Sequence, residues 1–500
     1  AKVGCLLNEK TISAEILNKY PIPDVAEVDR LLTEEAEKFG LKIIVLDDDP
    51  TGVQTVHDVS VYTDWSVESM REGFAEKNKL FFVLTNSRGF TEEETIKAHR
   101  EIVNNVQSAA DEAGMEYCII NRSDSTLRGH FPLETKIVKE EMEKRNPWKV
   151  DGEILCPYFK EGGRFTLNNV HYVKYGDELV PAGQTEFAKD ETFGYTSSNL
   201  CEYVEEKTKG EFKAEDCVTI SLELLRSMDY AEIRKKLMSV ENYGKIIVNA
   251  IDNIDVKIFC TALYRAIAQG KHYTFRTAAA LVKAFGNISD KAYLAREEMV
   301  NKETAAGGII VVGSHTAKTT AQLNELKNIS DITFIELNSD LVLEEGKLEE
   351  ETKRVLTMIQ DLIRKGNTVC VSTKRALLKV ENDTPEEALK RSVKISDALQ
   401  KCVGELEATP AFVIAKGGIT SSDVGVKALR VKHAKVLGQI RPGIPVWQTD
   451  SESKFPGIPY VIFPGNVGEI NLYQHNTGTY RTCRKRSKRT AWRRCRVIQP

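Results

Sequence analysis

Two stretches decide the fold: Ile43-Ile44-Val45-Leu46-Asp47-Asp48-Asp49-Pro50-Thr51-Gly52 and Ile414-Ala415-Lys416-Gly417-Gly418-Ile419-Thr420-Ser421. Each carries a short apolar run into a tight polar turn, the pattern of a buried strand opening into a site. The first delivers three carboxylates and a hydroxyl. The second delivers glycines and hydroxyls that let backbone N–H groups approach a phosphate. They lie about 370 residues apart, which places them in different domains of a 500-residue chain too long for one ordinary core.

Between them, apolar runs of strand length alternate with helical periodicity. Strands are expected at 42–47, 58–63, 79–85, 117–121, 217–221 and 245–250, and helices at 91–113, 132–144 and 256–269. Thr91-Glu92-Glu93-Glu94 is a helix start, a capping hydroxyl followed by acids in the first turn. Residues 1–40 read as helical. Residues 156–199, rich in Gly, Thr and aromatics, break the rhythm and predict short hairpins or a flap. A second unit of the same kind starts with Ile309-Ile310-Val311-Val312, with further strands at 332–336, 368–372, 411–415 and 459–463. The expectation is an α/β protein: two α/β domains with mainly parallel sheets and an active site in the cleft between them. The boundaries are 1–290, a linker at 291–307, 308–473, and a basic tail at 474–500.

Composition narrows the function classes. The chain is 41% hydrophobic and 28% charged, as in globular proteins that do not span membranes. No apolar run approaches the ~18 residues of a membrane span, and residues 1–9 are too short in apolar character for an export signal. The ten cysteines show no CxxC pairs and the eight histidines no HxxxH or HExxH arrangement. Reduced thiols, a cytoplasmic location and no structural zinc are expected. The net charge of −4 includes nine Lys or Arg and no acid in residues 474–500, so the body carries −13 and is unsuited to nucleic acid. The tail has almost no apolar periodicity and reads as disordered or translation-frame-altered.

Three strand ends carry polar chemistry. Ligands of α/β sheets sit beyond the carboxyl ends of strands. Asp47-Asp48-Asp49-Pro50-Thr51-Gly52 could bind Mg²⁺, orient a sugar hydroxyl or accept its proton, since adjacent carboxylates repel without a cation or donor. A solvated acidic turn is the bland alternative. Asn121-Arg122-Ser123-Asp124-Ser125-Thr126-Leu127-Arg128-Gly129-His130 flanks hydroxyls with two arginines, a combination suited to a carboxylate and a polyol, though a helix-capping turn would look similar. Thr85-Asn86-Ser87-Arg88 is the third.

In the second unit, Gly313-Ser314-His315-Thr316-Ala317-Lys318 is not a P-loop: Lys318 follows Gly313 by five residues rather than six and the second glycine is missing. Lys416-Gly417-Gly418-Ile419-Thr420 and Phe463-Pro464-Gly465-Asn466-Val467-Gly468 add two more glycine turns. An ordinary helix N-cap would look the same for the first of them alone; three such turns in one unit lead to the expectation of a nucleotide site.

Taken in order, these segments resemble the four-carbon acid sugar kinase family, which phosphorylates threonate, erythronate and similar aldonates with ATP. The carriers are Asp48-Asp49-Pro50-Thr51-Gly52, Ser87-Arg88, Ser123-Asp124-Ser125-Thr126-Leu127-Arg128-Gly129, Gly313-Ser314, Lys416-Gly417-Gly418-Ile419-Thr420 and Pro464-Gly465-Asn466. The resemblance implies ATP contacts by Ser314, Gly417, Gly418, Ile419, Thr420 and Gly465. It implies an acid-sugar pocket that includes Thr51, Gly52, Arg88, Arg122, Asp124, Ser125, Arg128 and Gly129, and a homodimer. Three departures stand out: Arg122 where relatives often carry Lys, the long 156–199 segment, which could serve a different substrate, and the tail after Tyr473, which has no counterpart.

The chemistry so implied is in-line transfer from MgATP, with Asp48 or Asp49 accepting the hydroxyl proton and Arg88, Arg122 or Arg128 clamping the substrate carboxylate. Asp124 is a further candidate base. The main rival is a haloacid dehalogenase-type phosphatase, because Asp47-Asp48-Asp49-Pro50-Thr51 fits a DxDxT loop with Asp47 as nucleophile. A non-catalytic nucleotide or sugar-acid sensor is the third reading.

Overall fold

The computed structural model describes residues 9–468 apart from positions 302, 377 and 466. Asn466 and the 474–500 tail therefore lie outside the described residues.

The first half of the chain forms β1 (Ile12–Ser13), β2 (Lys42–Asp47), β3 (Ser60–Tyr62), β4 (Leu80–Leu84), β5 (Tyr117–Arg122), β6 (Gly152–Cys156), β7 (Arg164–Leu167), β8 (Val170–Tyr175), β9 (Glu178–Pro181), β10 (Val218–Ile220), β11 (Gly244–Val248) and β12 (Tyr273–Thr277). The second half forms β13 (Ile309–Val312), β14 (Ile332–Leu337), β15 (Thr368–Thr373), β16 (Val413–Lys416), β17 (His433–Arg441), β18 (Ile444–Thr449) and β19 (Pro459–Phe463). Fifteen of these strands make one sheet in the order β10-β11-β6-β12-β5-β2-β4-β3-β17-β18-β19-β16-β13-β15-β14. The eight strands from β10 to β3 are parallel, and so are the five from β19 to β14. The antiparallel hairpin β17–β18 joins the two blocks, pairing with β3 on one side and β19 on the other. The blocks thus run in opposite senses, and two register shifts in the hairpin bend the junction.

Alternation along the strands explains why both faces are covered. Ile43 and Val45 belong to one apolar core, Ile44 and Leu46 to another. In the second block Ile309 and Val311 join the first of these cores, while Ile310 and Val312 join a third. The first core is therefore continuous across both halves. Helices Glu92–Ala113 and Leu133–Arg145 lie close to their expected spans, and the Thr91–Glu94 capping box is formed.

Some expectations are corrected. Residues 9–40 are not one helix: β1 and a short 3-10 turn precede Val25–Lys38. Pro21 and Pro23 hold the intervening chain extended, and Asp24 caps the helix that follows. Strands β6 and β12, the β17–β18 hairpin and helices Lys347–Arg364 and Pro385–Gly404 were not foreseen. The 156–199 segment does form hairpins, the meander β7–β8–β9 with β1 on its edge.

Trp447 in β18 is 1% exposed and packs edge-on against Tyr460 in β19, beside the junction of the blocks. Trp447→Ala is expected to lower stability by about 3–5 kcal/mol. Equilibrium urea unfolding measures it, and a loss under about 1 kcal/mol contradicts this role.

Candidate functional site

Strands β4, β2 and β5 are neighbours, and their ends are in register: Asp47 lies opposite Leu84 on one side and Arg122 on the other. This places the three polar motifs of the first half side by side. Asp47 is buried, and its Oδ1 accepts the amide of Asp49 at 3.3 Å. Gly52 must be glycine here, because a Cβ would fall 1.9 Å from Asp47 Oδ2. Asn86, at φ +55°, turns the chain after β4 so that Arg88 points back at the acids. Its guanidinium forks onto Asp48 at 2.6 and 3.2 Å and reaches Asp49 Oδ2 at 3.2 Å. Asp49 also accepts the Thr51 amide at 2.8 Å and hydroxyl at 2.6 Å. Arg122 lies 3.5 Å from Asp47, and its Nε has no hydrogen-bond partner among the described residues.

The loop after β5 is held from below and outside. Asp124 pairs with Arg128 at 2.8 Å. Buried Arg276 donates to the Asp124 carbonyl at 3.2 Å and the Arg128 carbonyl at 2.9 Å. Tyr195, Tyr203 and His171, from the 156–207 region, hold the carbonyls of Thr126, Leu127 and Ser125. Leu127 takes φ +73° and Gly129 φ +118°; a Cβ on Gly129 would stand 3.3 Å from Asp48 Oδ2.

These partners set the charge states. Burial pushes the Asp47 carboxyl up to about 8 against the pull of Arg122. Burial also raises Asp48, opposed by Arg88. Burial acts on Asp49 too, but Arg88 and the Thr51 hydrogen bonds outweigh it and hold Asp49 below the usual carboxylate range. Asp124 stays well below that range for the same kind of reason, with Arg128 and Arg88 overcoming burial. The donor that the acidic triplet requires is thus supplied within the chain. Of the arginines that the sequence nominated, Arg88 and Arg128 stand in ion pairs with these acids, while Arg122 lies 3.5 Å from the protonated Asp47 and 4.0 Å from Asp48.

In the second half β13, β16 and β19 are adjacent, with Val312 opposite Lys416 and Lys416 opposite Phe463. Their three glycine turns therefore meet. Gly417 has φ +119°, and a Cβ there would lie 3.1 Å from Ser314 Cβ. A Cβ on Gly465 would lie 3.0 Å from the Ser314 hydroxyl oxygen, and one on Gly313 only 2.1 Å from that of Thr420. Ser314, Thr316 and Thr319 link their hydroxyls, and Thr316 and Thr319 donate to the Gly465 carbonyl. Lys416 is buried over the Phe463 ring and donates to the Pro464 carbonyl at 2.7 Å, fixing the third turn. Burial lowers its pKa to about 6. This small-residue cradle fits a phosphate chain on backbone N–H groups. Among the described residues no group of three or more His, Cys, Asp or Glu is arranged to hold a metal ion.

The two halves approach each other at this point. Among the described residues outside its own helix and chain neighbours, a Cβ on Gly418 would meet only Asp49 Oδ2 within 4 Å, at 3.5 Å. Sequence reasoning missed Arg164, which donates to Thr126 Oγ1 at 2.9 Å, and Arg276. Both stand singly in their strands, outside any polar cluster.

An α/β protein with an arginine-compensated acid pocket facing a glycine cradle is defined by this geometry. A sugar-binding N-terminal domain matches residues 43–285 and a nucleotide-binding C-terminal domain matches residues 309–472. The chain belongs to the family built from these two domains, the four-carbon acid sugar kinase family. A Salmonella typhimurium LT2 protein, provisionally described as a tRNA synthase, shares the fold with TM-score 0.63 at 14% identity, over 87% of this chain and 98% of its own. Haemophilus influenzae protein HI1011, of the DUF1537 family, superposes with TM-score 0.55 at 17% identity, over 87% and 99%. No curated protein matches the chain. No helix among the described residues is long and apolar enough to cross a membrane.

Asp47 makes stability pH-dependent. Its carboxyl titrates near 8 folded against an ordinary 3.8, so between these values the folded state keeps a proton that the unfolded chain has lost. Stability therefore falls as pH rises through that window and levels off above it. Asp47→Asn retains the acceptor for the Asp49 amide and removes this slope. Urea midpoints from pH 5 to 8 are expected to decline more steeply for the wild type; parallel profiles contradict the assignment.

Proposed function

We propose that this protein is an ATP-dependent kinase that phosphorylates a hydroxyl of a sugar acid of the threonate or erythronate type, in sugar-acid catabolism. The observation that carries the reading is the approach of Asp49 to Gly418, which sets an ionised carboxylate of the sugar half against the glycine cradle of the nucleotide half. A hydroxyl held at Asp49 would face the phosphate end of a nucleotide seated on Ser314, Gly417, Gly418, Thr420 and Gly465. Ile419, 76% exposed beside the cradle, offers an apolar surface of the kind a purine covers. MgATP supplies the phosphoryl group, its metal neutralising phosphate charge.

The chain's own residues divide the remaining work. Asp49 orients the acceptor hydroxyl and takes its proton, since it is the acid held ionised closest to the cradle. Asp48 fixes Arg88, which in turn aims Asp49. Thr51, Gly52, Asp124, Ser125 and Gly129 shape the sugar pocket, with Arg88, Arg122 and Arg128 setting its potential. The domains of this proposal are those expected from sequence: 1–290 for the sugar half, a linker at 291–307 and 308–473 for the nucleotide half.

Asp47 gives the phosphatase alternative no support. It is buried against Gly52, and its raised pKa keeps it protonated at neutral pH, a poor state for a nucleophile.

Asp49→Asn is expected to cut kcat for acid-dependent ADP release by about 100-fold or more while nucleotide affinity holds. Asp47→Asn is expected to stay within about tenfold of wild type. Loss of activity in Asp47→Asn with Asp49→Asn unaffected, assayed on sugar phosphates as well as MgATP, reverses the assignment in favour of the phosphatase.

A further inference from the structure

Arg164 reaches the loop after β5 from the 156–199 segment, on β7, rather than from a strand end of the main sheet. Its Nε donates to Thr126 Oγ1 at 2.9 Å, and an Nη donates to the Gly162 carbonyl. Its guanidinium carbon lies 4.9 Å from the centre of the Phe187 ring, and that of Arg128 lies 5.1 Å from the same ring. Phe187, from the 3-10 turn Glu186–Lys189 that follows β9, thus holds two like charges near each other.

The two arginines differ in their partners. Arg128 is neutralised by Asp124 at 2.8 Å, with Asp190 at 3.9 Å. Among the described residues Arg164 pairs with no carboxylate, and its hydrogen bonds go to a hydroxyl and a carbonyl. It is half-buried: burial lowers its pKa, and the largest offset comes from Asp124, already committed to Arg128 and Arg88. A partly desolvated guanidinium without a counter-ion gains from an incoming anion what the pocket's paired arginines have already gained from aspartates.

We infer that Arg164 is the anchor for the substrate's carboxylate, with Thr126 and Phe187 fixing its fork, so that the meander reads the acid end of the substrate while Asp49 faces its reacting hydroxyl. This rests on the sugar-acid reading above. It moves the clamp from Arg88 and Arg128, which hold the protein's own acids, and from Arg122, which lies against the acidic triplet, to a residue supplied by the 156–199 segment. Substrate chain length is then set by the meander rather than by the strand-end motifs.

The test uses the whole chain and a panel of four- to six-carbon aldonates, each beside its uncharged aldonamide. At least one aldonate is expected to raise the wild-type Tm while its amide does not. Arg164→Met is expected to lose that shift, to keep the shift produced by MgATP, and to raise KM for the acid by about 10- to 100-fold with much less change in kcat. Arg164→Lys recovers part of the loss and guards against a folding defect in the first variant. Equal binding of acid and amide by the wild type, no shift with any aldonate, or unchanged KM in Arg164→Met overturns the anchor. The two readings separate cleanly. An aldonate bound through Arg164 but never phosphorylated keeps the anchor and refutes the kinase. ADP release with neutral polyols and no preference for acids does the reverse.

Discussion

The fork of Arg88 onto Asp48 and Asp49 is the interaction on which the site depends. Three consecutive acids at the end of a buried strand are costly unless their charge is met within the protein. The left-handed turn at Asn86 brings a guanidinium to two of them, and Arg122 stands against the third. The outcome is graded. Asp47 is kept neutral, Asp48 is drawn toward its neutral form by burial, and Asp49 is held ionised. One carboxylate of the triplet is thereby left ionised, and it is the one that lies nearest Gly418 of the nucleotide half.

That meeting follows from the continuous sheet. Two separate α/β units would leave their relative placement to a linker. Here β17 and β18 stitch the blocks with backbone hydrogen bonds, and one apolar core runs beneath both. Because the site lies where strand ends of both blocks converge, stability of the junction and geometry of the site are coupled through the same hairpin. The 156–199 segment adds a third wall, whose Tyr195 and His171 contacts fix the loop carrying Asp124 and Arg128.

Much of this was legible in residues 42–128 and 309–465, because buried parallel strands are unbroken apolar runs and their ends are abruptly polar. The same property made the site motifs stand out. Arg164 and Arg276 escaped notice because each is a single charge in a strand: Arg276 reaches the site through the pairing of β12 with β5, and Arg164 folds back onto Thr126 from the start of a local hairpin. The β17–β18 hairpin did leave a signal: Ala434, Val436 and Ile440 alternate with more exposed residues before Pro442-Gly443. The helical reading of residues 9–40 failed at Pro21 and Pro23, where apolar spacing persisted but the backbone could not follow it. Sequence reasoning also treated the arginines as free to clamp a ligand, since it had no means of seeing that neighbouring strand ends had already paired them.

The central claim is that the two halves cooperate to move a phosphoryl group onto a sugar acid. Mass spectrometry of the small molecules after incubation with MgATP and mixed aldonates tests it most directly. The account predicts one acid gaining the mass of a phosphoryl group in step with ADP. ADP accompanied only by inorganic phosphate, or no ADP at all from folded protein across the acids, contradicts it.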